Sequence, residues 1–250
     1  MVGVSRSGAL PADSPQDLTP GQLAARVMDL RDPLAVERTI QGVVESLGRL
    51  DAIVHAAGIA VAGPLENIPI ALIREQFEAN LLGTAYLIRA AVPYLRRFAP
   101  SRIVHISSIA AHVALPYQAV YCASKFAAQG LCESLRYELN PQGIRMIVVE
   151  PGSVRTPLTQ NRRIVPSGGT CRDAARRALE VNDADERQGI DPERVARLVE
   201  RVLNSDSPPE RCSVGHWQER LTLPARRLLP SRWFRRIIAA HYRISSAPFE

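Results

Sequence analysis

A chain of 250 residues with 46% hydrophobic and 22% charged side chains can bury a core of its own, at the upper end of what one domain holds, which excludes disordered and collagen-like classes. No apolar run reaches the roughly 18 residues of a membrane-spanning helix, because Arg89, Arg96 and Arg97 interrupt the longest candidate. The formal net charge of +6 is concentrated in residues 220–249, where Arg220, Arg226, Arg227, Arg232, Arg235, Arg236 and Arg243 stand without an acid, and nothing elsewhere has the basic groove with interleaved aromatics that reads nucleic acid.

In chain order the pattern alternates short apolar runs with helical periodicity, which predicts an α/β fold with a doubly wound parallel sheet, Rossmann-like, in a single domain. Strands are expected at residues 2–5, 26–30, 52–56, 102–107 and 145–150. Helices are expected at residues 33–47, with Asp32 as cap and Pro33 in the first turn, at 70–98 with a break, and at 119–139. Residues 157–190, with Pro157, Pro166, Gly168 and Gly169, read as a lid over a site. A helix at 192–203, a short strand at 212–214 and one terminal helix within the basic extension, at 224–243, complete the expectation. Arg6 is followed by no apolar block, so no secretory signal is expected. Cys122, Cys132, Cys171 and Cys212 form no CxxC pair and read as reduced thiols of a cytoplasmic protein. His105 and His112 belong to no HExxH or His/Cys cluster, so no metal site is expected.

Lys125 is the single lysine beside thirty arginines among the 31 basic residues. An ammonium is compact and its pKa moves with its neighbours, whereas guanidinium is bulky and permanently charged, so Lys125 marks a position where arginine would not serve. Chance survival of one lysine is the alternative. Tyr121 lies four residues earlier on the predicted helix, on the same face. Tyrosine titrates near ~10, and exchanging protons at neutral pH requires its anion to be stabilised, which Lys125 is expected to do. Ser108 ends a predicted strand, where ligands collect in open parallel sheets.

Tyr121-Cys122-Ala123-Ser124-Lys125 resembles the YxASK element of the short-chain dehydrogenase/reductase family, with Ser107-Ser108 upstream at the family's distance. His55-Ala56-Ala57-Gly58 is similar to its NNAG element, Asn80 to its helix asparagine, Pro151-Gly152 with Thr156 to its PG motif, and Val27-Met28-Asp29-Leu30 to its hhDh stretch near the adenine. The resemblance implies an NAD(P)-dependent oxidoreductase, acting as a homo-oligomer on a small-molecule alcohol or ketone. It also implies roles: Tyr121 as general acid and base, Lys125 lowering its pKa and holding the nicotinamide ribose, Ser108 orienting the carbonyl, and Asn80 holding a water that links Lys125 to solvent. Ala57, Gly58, Pro151, Gly152, Val154 and Thr156 would lie against the cofactor, with Asp29 and Leu30 near its adenine.

One part of the family pattern is absent. No TGxxxGxG turn, whose amides hold the pyrophosphate, occurs among Gly3, Gly8, Gly21, Gly42 and Gly48. The opening Val2-Gly3-Val4-Ser5-Arg6-Ser7 resembles instead the family's second strand, so the first strand and helix are missing on that alignment. A start codon placed late is the favoured explanation over a chain built this way. The loss is expected to part the second and fourth family strands and expose their ladder groups. With Arg6, Ser5 and Ser7 at the strand's end and no acid before Asp13, the 2′-phosphate of NADP is favoured, NAD being the other choice. The terminal stretch mixes Leu228, Leu229, Trp233, Phe234, Ile237 and Ile238 with arginines, which suits packing against the core or a subunit and also permits contact with anionic lipid. An apolar substrate suits either. The competing function is a catalytically impaired relative serving as a binding or scaffold protein, and the lone lysine at the catalytic position favours the enzyme.

Overall fold

Parallel pairing of strands requires a crossover that returns the chain to the same end of the sheet, and short strands separated by helices supply it. The computed structural model describes residues 1–6, 24–166, 168 and 172–244 and has this organisation. Strands β1 (Val2–Ser5) and β2 (Ala24–Val27) pair in parallel as a sheet of their own. Helix α1 (Pro33–Leu47) starts where expected, with Asp32 Oδ1 accepting from the amides of Leu34 and Ala35 at 3.0 and 3.1 Å, and it stops at Gly48 in the left-handed region at φ 76°. It is followed by β3 (Ala52–His55), the two-residue β4 (Val61–Ala62), α2 (Ile70–Phe77), a π-helical turn over Glu78–Leu82, and α3 (Gly83–Arg97). Then come β5 (Ser101–Ile106), α4 (Ala119–Leu139), β6 (Ile144–Pro151), α5 (Leu158–Asn161) and β7 (Arg163–Ile164). The chain closes with α6 (Arg172–Arg187), α7 (Pro192–Asn204), β8 (Arg211–Val214), α8 (Trp217–Leu228) and α9 (Ser231–His241).

The main sheet is parallel in the order β3-β5-β6-β8, with Ala52 opposite Arg102 and Ser101 opposite Ile144. Alternation sends Ile53, Ile103, Met146 and Val148 to one face, against Val36 and Ile40 of α1, Leu87, Ala91 and Leu95 of α3, and Cys132 of α4. Val104, Ile147 and Val149 face the other way, against Val202 of α7. Helices on both faces make the sheet doubly wound. β1 and β3 lie in different sheets, and Val4 on β1 is 38% exposed and Val54 on β3 is 44% exposed.

Two expectations are corrected. The second strand ends at Val27, because Asp29 Oδ1 accepts the Arg31 amide at 2.9 Å and turns the chain out of the ladder. The basic terminus is two helices: Pro230 bars the residue before it from helical geometry, and Leu229 is extended at ψ 142°. The segment 157–190, read as a lid, contains the 16-residue helix α6. Its buried Arg162 pairs with Asp183 at 2.6 Å and with Glu186.

Candidate active site

The carboxyl end of β5 delivers Ser107 and Ser108. Ser108 is extended and caps the 3₁₀ turn Ile109–Ala111, its Oγ accepting the Ala110 amide at 3.1 Å. Helix α4 then presents Tyr121 and Lys125 one turn apart, both buried, with the Lys125 Nζ 6.0 Å from the Tyr121 ring centroid. The Ser108 side chain hydrogen-bonds Tyr121, and Lys125 Nζ donates to the Ile106 carbonyl at 3.4 Å. The sequence-predicted trio is thus in one place.

Asn80 sits in the π turn between α2 and α3, a local widening that recurs at functional sites. Its amide is committed: Oδ1 accepts from the Ile59 amide at 2.9 Å, and Nδ2 donates to the Ile59 carbonyl and to Ser124 Oγ, both at 3.0 Å. Gln76, one turn earlier, does the same work on the same loop, accepting from the Val61 amide at 2.8 Å and donating to the Ile59 carbonyl at 2.7 Å. Together they fasten the loop after β3 to α4. That loop passes close at Gly58, where a Cβ would stand 3.2 Å from Asn80 Oδ1 and 3.8 Å from Lys125 Nζ. A larger residue would crowd both groups.

Burial governs the electrostatics. It pushes Tyr121 up to about 12, against the lowering effect of the Ser108 hydrogen bond, and pulls Lys125 down to about 8. Desolvation of the phenolate outweighs the stabilising influence of Ser108 and of the Arg162 charge. His55 and His105, side by side across β3 and β5 with ring centroids 5.2 Å apart, are held neutral chiefly by burial. A buried phenol hydrogen-bonded to a hydroxyl and neighboured by an ammonium can hold a proton at neutral pH and release it to an oxyanion.

These groups open on a cavity of about 1890 Å³ whose walls include Arg6, Gly58, Ser108, Tyr121, Lys125, Pro151, Gly152, Val154 and Thr156. Asn80, Ala57, Asp29 and Leu30 are not part of that wall. The Asp29 carboxylate is engaged by Arg31, whose hydrogen bond is the largest influence holding its pKa below the usual range, with a smaller contribution from the nearby Arg6 charge. Leu30 packs on Gly83. Ser7 lies outside the described residues. A nicotinamide cofactor fits what is present, since the Gly58 cradle leaves room beside Lys125 and the loop 151–156 lines the same space.

Sequence reasoning missed three supports. Glu219 of α8 accepts the Ser153 amide at 2.7 Å and the His216 amide at 2.9 Å, fixing the turn after Gly152; the pairing of Glu219 with a cap three residues earlier was a readable signal. Buried Glu150 accepts from Arg211 Nε at 2.9 Å and bonds His112 Nε2 at 2.8 Å, tying the turn after Ser108 to β6 and β8. Gln76 is the third. No local signal reveals the last two, since their partners come from distant elements.

The short-chain dehydrogenase family profile matches residues 2–165, about two thirds of the chain. The chain belongs to the short-chain dehydrogenase family. Among its relatives, the 3-ketodihydrosphingosine reductase of Bacteroides thetaiotaomicron is 29% identical over 90% of this chain and 84% of its own length. The human 17-beta-hydroxysteroid dehydrogenase type 1 is 36% identical over 55% of this chain and 41% of its own length, so the present chain spans under half of that relative. Among solved structures, a dehydrogenase/reductase from Sinorhizobium meliloti superposes with a TM-score of 0.62 at 30% identity over 78% of this chain and 74% of that one. A short-chain dehydrogenase from Streptomyces avermitilis gives 0.73 at 24% identity, over 90% and 80%, which speaks to fold. As a short-chain dehydrogenase, the chain is an NAD(P)-dependent oxidoreductase of alcohols and carbonyls.

Proposed function

We propose that the chain interconverts a ketone and a secondary alcohol on a largely apolar small molecule, prefers NADP, and uses Tyr121 as the acid and base. The observation that carries this reading is the convergence of Ser108, Tyr121 and Lys125 on one cavity larger than the roughly 300–1,000 Å³ of an ordinary small-ligand pocket, with space for cofactor and substrate together. When bound, the nicotinamide exchanges a hydride with the substrate carbon. Gly58, Pro151, Gly152, Val154, Thr156 and Lys125 would hold it.

The chain's own residues do the rest. Ser108 orients the substrate oxygen by donating a hydrogen bond. Tyr121, kept protonated at neutral pH by burial, gives its proton to that oxygen in reduction and takes one back in oxidation. Lys125 supplies a positive charge below about pH 8 and holds the ribose. Asn80 and Gln76 act as positioning residues by clamping the Gly58 loop through their side-chain amides. Arg6 on the cavity wall supports NADP, because a guanidinium welcomes the 2′-phosphate that an acid there would repel. Val113, Leu115, Leu158 and Ile238 line the cavity, and relatives named for ketosphingoid and hydroxysteroid substrates agree with an apolar ligand.

The test is a fluorescence titration with NADPH and NADH on the chain and on Arg6→Ala. NADPH should bind at least about tenfold more tightly, and Arg6→Ala should remove most of that preference, one charge-assisted contact being worth about that much. Equal affinities in the unaltered chain would overturn the cofactor assignment.

A further inference from the structure

The two terminal helices carry an exposed apolar face that the core does not use. On α8, Trp217, Leu221 and Leu228 recur at helical spacing and are 68%, 53% and 81% exposed. On α9, Trp233 and Ile237, one turn apart, are each 53% exposed, and Leu229 between the helices is 37% exposed. The buried side of α9 is separate: Phe234, Ala239 and the following Tyr242 turn inward. Around the exposed side stand Arg220, Arg226, Arg227, Arg232, Arg235, Arg236 and Arg243, all exposed, with no acid between residues 220 and 249. Arg236 lies 5.9 Å over the Trp233 ring, so cation and aromatic share one surface.

Aliphatic and indole side chains flanked by arginines match the boundary between acyl chains and acidic headgroups, where Trp sits and cations are attracted. A second copy of the chain is a poorer occupant, because self-pairing would bring seven positive charges against seven more. No helix among the described residues is long and apolar enough to cross a membrane, so contact would lie in the plane of the interface.

We infer that α8 and α9 form a docking surface for an anionic lipid bilayer. The same helices wall the cavity: Gln218, Glu219 and Thr222 from α8, and Ile237, Ile238 and His241 from α9. Ile237 is both half exposed and part of the cavity wall, which places a rim of the site at the docked face. Resting on the function proposed above, this specifies the substrate as a lipid-soluble ketone or alcohol that enters from the membrane side.

Trp217 and Trp233 are the chain's two tryptophans, so its indole emission reports on this surface alone. The experiment mixes the full chain with vesicles of phosphatidylcholine alone or with about a third phosphatidylglycerol, and reads tryptophan emission and co-sedimentation. A blue shift and co-sedimentation with the anionic vesicles are expected, weakened about tenfold or more by high salt, by the triple change Arg232→Gln, Arg235→Gln, Arg236→Gln, and, in sedimentation, by Trp217→Ala with Trp233→Ala. Unchanged circular dichroism and unchanged turnover of a water-soluble ketone in those variants would show the loss to be one of docking. No shift with anionic vesicles, equal partition into neutral ones, or self-association that shields the indoles would overturn the inference. Vesicle binding without turnover would count against the catalytic reading and leave the docking surface standing.

Discussion

The uneven treatment of positive charge in this chain has a structural counterpart at its one lysine. Lys125 is 7% exposed, beside Gly58 and under the Ile106 carbonyl, where a broad, permanently charged guanidinium would not reproduce a compact ammonium whose pKa responds to burial. Lys125→Arg should therefore lose turnover by about a hundredfold or more although the charge is kept, and steady-state rates would detect it. Because burial lowers Lys125 from 10.5 to about 8, the ammonium is present below that pH and lost above it, so the reduction rate should fall as pH rises through about 8. A pH–rate profile flat to pH 10 would contradict this assignment, the expected midpoint being about 8. Gln76→Ala should loosen the Gly58 loop, stranding the Val61 amide and leaving the Ile59 carbonyl to Asn80 alone, at a cost of about 1–3 kcal/mol, and should raise the cofactor KM more than it lowers kcat. Ser108, Tyr121 and Lys125 were legible because their spacing is local to one strand end and one helix. Gln76 was not, since what it holds lies 15 and 17 residues back along the chain and becomes a neighbour only when α2 docks.

Among the elements, periodicity placed α1, α4 and α7 well because caps and apolar spacing are local properties: Asp32 before Pro33 and Asp191 before Pro192 both accept amide hydrogens where a cap should. Strand ends and short pieces were less legible. β4 and β7 are two residues each and exist through each other, Val61 pairing with Arg163. The division between α8 and α9 was signalled by Pro230, whereas Pro224 lies inside α8 and does not end it. Helix α6 owes its place to ion pairs made across the segment, which sequence spacing does not reveal. Removing the side chain of Arg162, 1% exposed and paired with Asp183 and Glu186, should leave two carboxylates half-buried without their cation; Arg162→Ala should cost about 3–5 kcal/mol in denaturant unfolding, and a change below about 1 kcal/mol would show the pairs to be solvent-screened. On α3, fully buried Leu95→Ala should cost about 2–5 kcal/mol by the same measurement.

At the scale of the molecule, alternating strands and helices led directly to a parallel sheet covered on both faces, and the order β3-β5-β6-β8 bears that out. The separation of β1 from β3 was expected from the family strands they resemble, whereas the pairing of β1 with β2 was not read from the sequence, since periodicity does not specify strand neighbours. The cavity joins pieces from both ends of the sequence, from Arg6 to Tyr242, and part of its wall comes from the segment 157–190 and the terminal helices, where sequence pattern gave chain direction without side-chain company. The central claim is that Tyr121 passes the proton at a site that also holds NADPH. The measurement that tests it most directly pairs NADPH binding with ketone turnover in Tyr121→Phe: binding within about twofold of the unaltered chain and turnover lower by about 10²–10⁴-fold is predicted, whereas turnover retained in that variant would contradict the account.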